Sequence, residues 1–245
     1  MTWLLIDNSN TRTKFALGDA AGLLPFRDWL PTPEIHPENL QEKLGGLHFD
    51  ASLICSVVPA KATILSDFLA RRGPIHSLGS ASDTGLAIDY PHPAQIGADR
   101  LANAIGVAAK HRAPAIVIDF GTAVTFDVVA AGPTYCGGVI APGLGAMQEY
   151  LGRRTALLPK IELEEPRAAI GKSTVEAMRS GAVFGYRGLV REIIARLRLE
   201  MAGDPLVVAT GGDSALIARG LPEIDRVDPD LTLEGIRLAA VRNLR

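Results

Sequence analysis

The chain opens with an apolar run over residues 3–7 that ends on an acid, and after a short polar turn a second run over 12–18 follows. Two such runs predict a β-hairpin. Residues 36–46 predict a short helix stopped by glycine. A further buried strand, 52–58, leads to Pro59, which suits the first turn of a helix reaching about residue 72. Residues 89–97 form a loop rich in proline and glycine, and 98–110 predict a helix. Strands dominate this first part. Beyond it lie a strand pair over 116–129 and helices over 142–152 and 173–201. A strand, glycine turn and helix over 205–221 and a helix over 231–244 complete the pattern. Strands separated by helices indicate an α/β architecture.

The pattern repeats. Shifting the chain by 112 residues lays Ile6 and Asp7 on Ile118 and Asp119, Ser9 on Gly121, and Asn10 on Thr122. The same shift lays Thr13 on Thr125, and Leu5 and Leu17 on Val117 and Val129. Each copy reads strand, acid, small polar turn, strand. The repeat predicts a duplicated fold with two similar mixed-sheet halves and a cleft between them. The halves are residues 1–112, with the first acidic turn and Asp99, and 113–245, with the second acidic turn and a later glycine turn.

Composition narrows the classes. A chain of 245 residues that is 47% hydrophobic can bury a sizeable core. The formal net charge of −2 gives no footprint for a nucleic-acid partner. No apolar run is long enough to cross a membrane, and residues 1–10 do not read as a secretion signal, so a cytoplasmic protein is expected. Cys55 and Cys136, both in strand-like stretches without a CxxC partner, are expected to be buried free thiols.

The chemistry concentrates in the turns. Asp7-Asn8-Ser9-Asn10-Thr11 puts an acid at the end of a buried strand, where it must be paired or bind a cation. The small polar residues after it leave amides and hydroxyls for phosphate oxygens, and Lys14 can neutralise phosphate charge. An Asx-type hairpin turn fits the same residues. Asp119-Phe120-Gly121-Thr122-Ala123 repeats the device and favours phosphate handling. Thr210-Gly211-Gly212-Asp213 suits either a nucleotide or a tight βα turn. In Gly97-Ala98-Asp99-Arg100, Asp99 can cap a helix or accept a proton from an attacking hydroxyl, and Arg100 can grip a carboxylate. Residues 137–143 read as a glycine-proline loop opening a helix. Gly171-Lys172-Ser173-Thr174 is not a P-loop, because Pro166 occupies the place of the upstream glycine; Thr174 instead caps the long helix or meets a ligand.

Together these motifs resemble the type III pantothenate kinases of bacterial coenzyme A synthesis. The match runs in order through Asp7 to Lys14, Ser56-Val57-Val58-Pro59, Gly97-Ala98-Asp99-Arg100, the Asp119 turn with Thr125 and Asp127, Gly137-Gly138 with Pro142-Gly143, Gly171 to Thr174, and Thr210-Gly211-Gly212. The resemblance implies a duplicated actin-like ATPase fold of the ribonuclease H-like kind. It implies phosphorylation of the primary hydroxyl of pantothenate by ATP, with Asp99 as proton acceptor. Asp7, Asn8, Ser9, Asn10, Thr11, Arg12, Thr13, Lys14 and Thr122 would contact ATP. Tyr90, Gly97, Ala98, Asp99, Arg100 and Thr174 would contact substrate. Asp119 would hold a monovalent cation, potassium or ammonium, while magnesium accompanies ATP. The protein would be a homodimer in which Thr174 comes from the partner subunit.

One departure stands out. The resembled first turn carries glycine where this chain has Ser9. If the backbone there needs a positive φ, serine introduces strain, and a Cβ close to phosphate weakens ATP binding. A non-catalytic regulatory relative and a phosphotransferase acting on another small hydroxy acid are the competing readings.

Overall fold

The computed structural model describes residues 1–155 and 157–244, with the backbone alone described at 147–149 and 151–152. Its strands are β1 (Trp3–Asn8), β2 (Arg12–Gly18), β3 (Leu23–Pro31), β4 (Ala51–Ser56), β5 (Ile75–Ser77), β6 (Ala87–Ile88), β7 (Ala115–Phe120), β8 (Ala123–Ala130), β9 (Thr134–Pro142), β10 (Leu206–Gly211) and β11 (Arg226–Val227). Its helices are α1 (Pro37–Leu44), α2 (Pro59–Leu69), α3 (Ala98–Lys110), α4 (Leu144–Arg154), α5 (Thr174–Glu200), α6 (Ser214–Ala218) and α7 (Leu231–Asn243).

The chain forms two compact units. The first contains Met1–Arg112, Pro133–Tyr135 and the carboxy-terminal helix α7; the second contains Ala113–Gly132 and Cys136–Pro229. Chain order alone places α7 in the second half, but its apolar side (Leu233, Ile236, Ala239 and Ala240) packs with Trp3, Leu5 and Leu53 of the first unit.

The first unit is built on a sheet of order β3-β2-β1-β4-β5. β1 is buried along its whole length, and its alternation feeds two cores. Trp3 and Leu5 face α3 and α7, while Leu4 and Ile6 face α1 and α2. Each fully buried aliphatic side chain contributes roughly 1.5–3 kcal/mol, so this strand anchors both layers. β1 and β2 pair antiparallel and β1 and β4 pair parallel.

The second unit repeats the plan, with strands in the order β9-β8-β7-β10-β11. β7 pairs antiparallel with β8 and parallel with β10, as β1 does with β2 and β4. Ile116, Ile118, Phe126, Val207 and Ala209 pack on Val183, Tyr186, Val190 and Ile194 of α5. The duplication is therefore real at the level of sheet order. The residue correspondence needs one correction. Four residues separate the paired Asn8 and Thr13, but only three separate Phe120 and Val124. Asp7 pairs with Lys14 and Asp119 with Thr125, so Lys14, not Thr13, is the counterpart of Thr125.

Two further expectations change. Residues 134–142 are strand, not a loop. Their side chains alternate between covered and open faces despite positive φ values of 105° at Gly137 and 156° at Gly138, and Pro142 falls at the strand end, where a missing donor is tolerated. That alternation leaves Cys136 exposed, while Cys55 is buried as expected; neither forms a disulfide. Among the described residues no helix is long and apolar enough to cross a membrane.

Candidate active site

The first acidic turn is braced from beneath. Asp7 is buried; its Oδ1 accepts from Ser9 Oγ at 2.8 Å and its Oδ2 from Lys14 Nζ at 3.2 Å. Asn8 donates through Nδ2 to Thr13 Oγ1 at 2.7 Å and accepts through Oδ1 from Ser56 Oγ at 2.6 Å. Ser56 Oγ in turn accepts the Val58 amide at 3.1 Å. Asn8 therefore ties the hairpin to β4, both ends of its amide committed within the protein. Thr13 shares a 3.0 Å hydrogen bond with Thr32, whose hydroxyl donates to the Ser9 carbonyl at 2.6 Å. Arg12 stacks over Trp29 with its guanidinium carbon 4.9 Å from the ring centre. Asn10, Thr11 and Arg12 form the exposed crest of the turn.

Ser9 carries no backbone strain. Every described residue with positive φ is a glycine, so Ser9 lies in ordinary backbone territory. Its counterpart Gly121 also lacks a positive φ, and a Cβ there would meet nothing closer than the Ala123 carbonyl at 3.3 Å. The strain expected of a serine is thus absent, because neither turn uses the left-handed conformation.

Asp99 lies in the first turn of α3, and Gly97 is the N-cap without any side-chain cap. Asp99 does not cap the helix. Its Oδ1 accepts the Arg100 amide at 2.8 Å. A Cβ on Gly97 would lie 2.6 Å from that oxygen, so the glycine leaves the carboxylate its place. Burial pushes the Asp99 carboxyl above the ordinary carboxylate range; the Arg100 amide opposes this, the Asp7 charge adds to it, and the Arg100 guanidinium opposes it again. Asp7 and Asp99 thus sense each other within one unit.

Arg100 is nearly buried, its guanidinium carbon 5.8 Å from the Tyr135 ring centre. Tyr90, half-buried, stands against the same ring at 6.3 Å. Ala98 is buried in the core beneath. Tyr135 was not legible in sequence. It precedes Gly137-Gly138, but its place depends on the pairing of Ile88 with Tyr135.

In the second unit Asp119 is the penultimate residue of β7, half-buried, and Gly121, Thr122 and Ala123 form an exposed turn. Two glycines close on it. The Gly143 amide donates to the Thr122 carbonyl at 3.1 Å, and a Cβ on Gly143 would overlap the carbonyls of Gly121 and Thr122. Gly211, at φ +90°, would place a Cβ 2.5 Å from Asp119 Oδ1 and 2.6 Å from the Phe120 amide nitrogen. The third turn therefore belongs to the same site as the second, since β10 runs beside β7 with Thr210 opposite Asp119. Asp213, at the end of that turn, is also pushed up by burial.

Thr174 is exposed at the start of α5. It does not cap the helix: Ser173 does, its Oγ accepting the Glu176 amide at 3.2 Å, while Glu176 Oε2 accepts the Lys172 amide at 2.7 Å.

The geometry amounts to a half-buried aspartate held beside an arginine and a braced acidic turn in one unit, and an acidic turn walled by glycine backbone in the other. The chain is similar to known proteins. A family model described as type III pantothenate kinase matches residues 3–196. The type III pantothenate kinase of Akkermansia muciniphila is 60% identical over 244 residues, covering 100% of both chains. That of Methylacidiphilum infernorum is 42% identical over 238 residues, covering 96% of this chain and 86% of its own. Among solved structures, a protein assigned to the Baf family of transcriptional activators from Campylobacter jejuni aligns with a TM-score of 0.64 at 19% identity over 97% of both chains. A protein assigned as 2-dehydro-3-deoxygalactonokinase from Sinorhizobium meliloti aligns with a TM-score of 0.60 at 14% identity, covering 97% of this chain and 95% of its own. At such identities the structural likeness speaks for the fold, which is the duplicated actin-like one. The match of the family model and the full-length identity speak for more, and on them the chain belongs to the type III pantothenate kinase family.

Proposed function

We propose that the chain transfers the γ-phosphoryl group of ATP to the primary hydroxyl of pantothenate, giving 4'-phosphopantothenate, the first step of coenzyme A biosynthesis. The observation that carries the reading is Asp99, a half-buried carboxylate whose protonation is favoured by desolvation, fixed next to Arg100 and within electrostatic reach of Asp7. Asp99 accepts the hydroxyl proton as the oxygen attacks the γ-phosphorus in line. Arg100 grips the substrate carboxylate through its planar fork. Gly97, Ala98, Tyr90 and Thr174 complete the substrate contacts.

Towards ATP, the crest residues Ser9, Asn10, Thr11 and Arg12 offer amides and side chains, Lys14 offers its charge, and Thr122 offers its hydroxyl. Asp7, Asn8 and Thr13 support them, since their side chains are bonded inside the unit. The regulatory alternative rested on Ser9 alone, and the unstrained backbone there removes the strain part of that support.

Asp119 suits a cation held by few protein ligands. Among the described residues no three His, Cys, Asp or Glu side chains cluster as a metal site. One carboxylate with nearby backbone carbonyls fits a monovalent ion, potassium or ammonium, and magnesium accompanying ATP would take most of its oxygens from phosphates. When bound, such ions supply neutralising charge to the phosphates. The space beside Asp119 depends on Gly211 having no side chain. Gly211→Ala is expected to cost about 1–2 kcal/mol for the left-handed backbone alone. The Asp119 contact should abolish potassium stimulation as well. Thermal unfolding and ADP release with and without potassium measure both; a variant with parental stability and potassium response would refute the reading.

A homodimer fits the exposed strip of α5. Ala177, Gly181, Phe184, Gly185 and Gly188 lie open on the same side of this helix as Thr174. That face suits close packing against a second copy and would carry Thr174 to the partner's substrate. A cytoplasmic location fits this metabolic role.

A coupled ADP-release assay tests the function. ADP should appear only with pantothenate present and should rise with potassium. ADP release independent of pantothenate, or release only with another hydroxy acid in a substrate panel, would refute it.

A further inference from the structure

We propose that Tyr135 is a positioning residue that presets Arg100 for the substrate carboxylate, an inference that rests on the function proposed above. Its ring is fully buried, with the Arg100 guanidinium carbon 5.8 Å from its centre and the Tyr90 ring 6.3 Å away at 55°. Its carbonyl accepts the Asp89 amide at 2.9 Å, so the backbone of the loop leading to Tyr90 is fixed by the same residue. One residue therefore touches two candidate substrate contacts.

The physical case concerns a flexible cation. An arginine side chain left to sample its rotamers must be ordered when substrate binds, and that cost falls on affinity. The negative face of an aromatic ring attracts guanidinium and orders it beforehand. A tyrosine that merely filled the core would affect every substrate equally. One that orders Arg100 affects only substrates with a carboxylate.

The test compares pantothenate with pantothenol, in which a primary alcohol replaces the carboxylate. For the parent, KM for pantothenate should be well below KM for pantothenol. Tyr135→Phe keeps the ring and should retain that preference. Tyr135→Leu should raise KM for pantothenate by about tenfold, the scale of a desolvated cation–π contact. Its kcat, its KM for ATP and its KM for pantothenol should change little. A parallel rise for both acceptors would show a packing role and overturn the proposal. If the parent phosphorylates both acceptors with equal KM, the carboxylate role of Arg100 fails, and this inference with it. If the parent phosphorylates neither, the function itself fails. Should the leucine variant not fold, phenylalanine analogues of increasing fluorination at 135 keep the shape and weaken the ring's negative face. KM for pantothenate should climb along that series, and a flat series would overturn the proposal.

Discussion

Replacing Asp99 with asparagine is expected to lower kcat by about 10²–10⁴-fold, the usual worth of a positioned general base, while leaving the fold at least as stable at neutral pH. Asparagine keeps the oxygen that accepts the Arg100 amide, so the start of α3 should not shift. It removes a carboxylate that pays for its burial when ionised. Because the Asp99 carboxyl is raised on folding, its protonated form is the one favoured by the native state. The associated stability is fully present below the unfolded pKa and is lost as pH rises through the folded one. Above the folded pKa the parent has lost it and the variant has nothing to lose, so there the variant's Tm should equal or exceed the parent's, with the gap closing in acid. Activity runs the opposite way. The base works only when ionised, so the acid limb of the parent's kcat should fall at a pH above the ordinary aspartate range of about 3.9. Parallel pH profiles of kcat and Tm measure both. Full activity in Asp99→Asn, or a marked loss of stability, would contradict the role assigned to this residue.

What could be read from sequence followed from how local each feature is. β1 and β2 were legible because an apolar run and a second strand-like segment flank a polar turn, and α3 because its apolar period runs cleanly from 98 to 110. β3 was not, since prolines and charged residues interrupt an alternating, half-open edge strand. β5, β6 and β11 span two or three residues, too few to show a period. Asp99 announced itself through its neighbours Gly97 and Arg100, all within four positions. Tyr135 did not, because its partners are reached through a strand pairing of residues 47 positions apart. Gly211 was visible as part of a turn, yet its closeness to Asp119 comes from the parallel register of β10 and β7. Nothing in the apolar stripe of α7 says which sheet it will cover. Its glycine does, once the neighbouring helix is in view.

That glycine gives the second large effect. Gly235→Ala should destabilise the protein, although helix propensity alone would predict a gain of about 1 kcal/mol. α7 and α3 meet backbone to backbone. A Cβ on Gly235 would overlap the carbonyl of Ala102, and a Cβ on Gly106 would lie 2.6 Å from the Leu231 carbonyl. Thr232 locks the crossing by donating to Asn103 at 2.7 Å. These obstacles are main-chain atoms of regular helices, which cannot swing aside as a flexible side chain can. The helices must separate, and overpacking of this kind costs roughly 1–3 kcal/mol or more. The clash exceeds the propensity gain, so a net loss of about 1–2 kcal/mol is expected, equivalent to a fall in Tm of roughly 2–8 °C for a chain of this size. Gly235→Leu should lose more, because further atoms must fit between the same backbones. Activity should fall with stability in both, since α3 carries Asp99 and Arg100 in its first turn and a displaced helix moves them relative to Asp7. Denaturant titration beside steady-state kinetics separates the terms. A Gly235→Ala variant with a midpoint equal to or above the parent's would mean that the crossing is looser than its geometry indicates, and that α7 does not set the position of the catalytic helix.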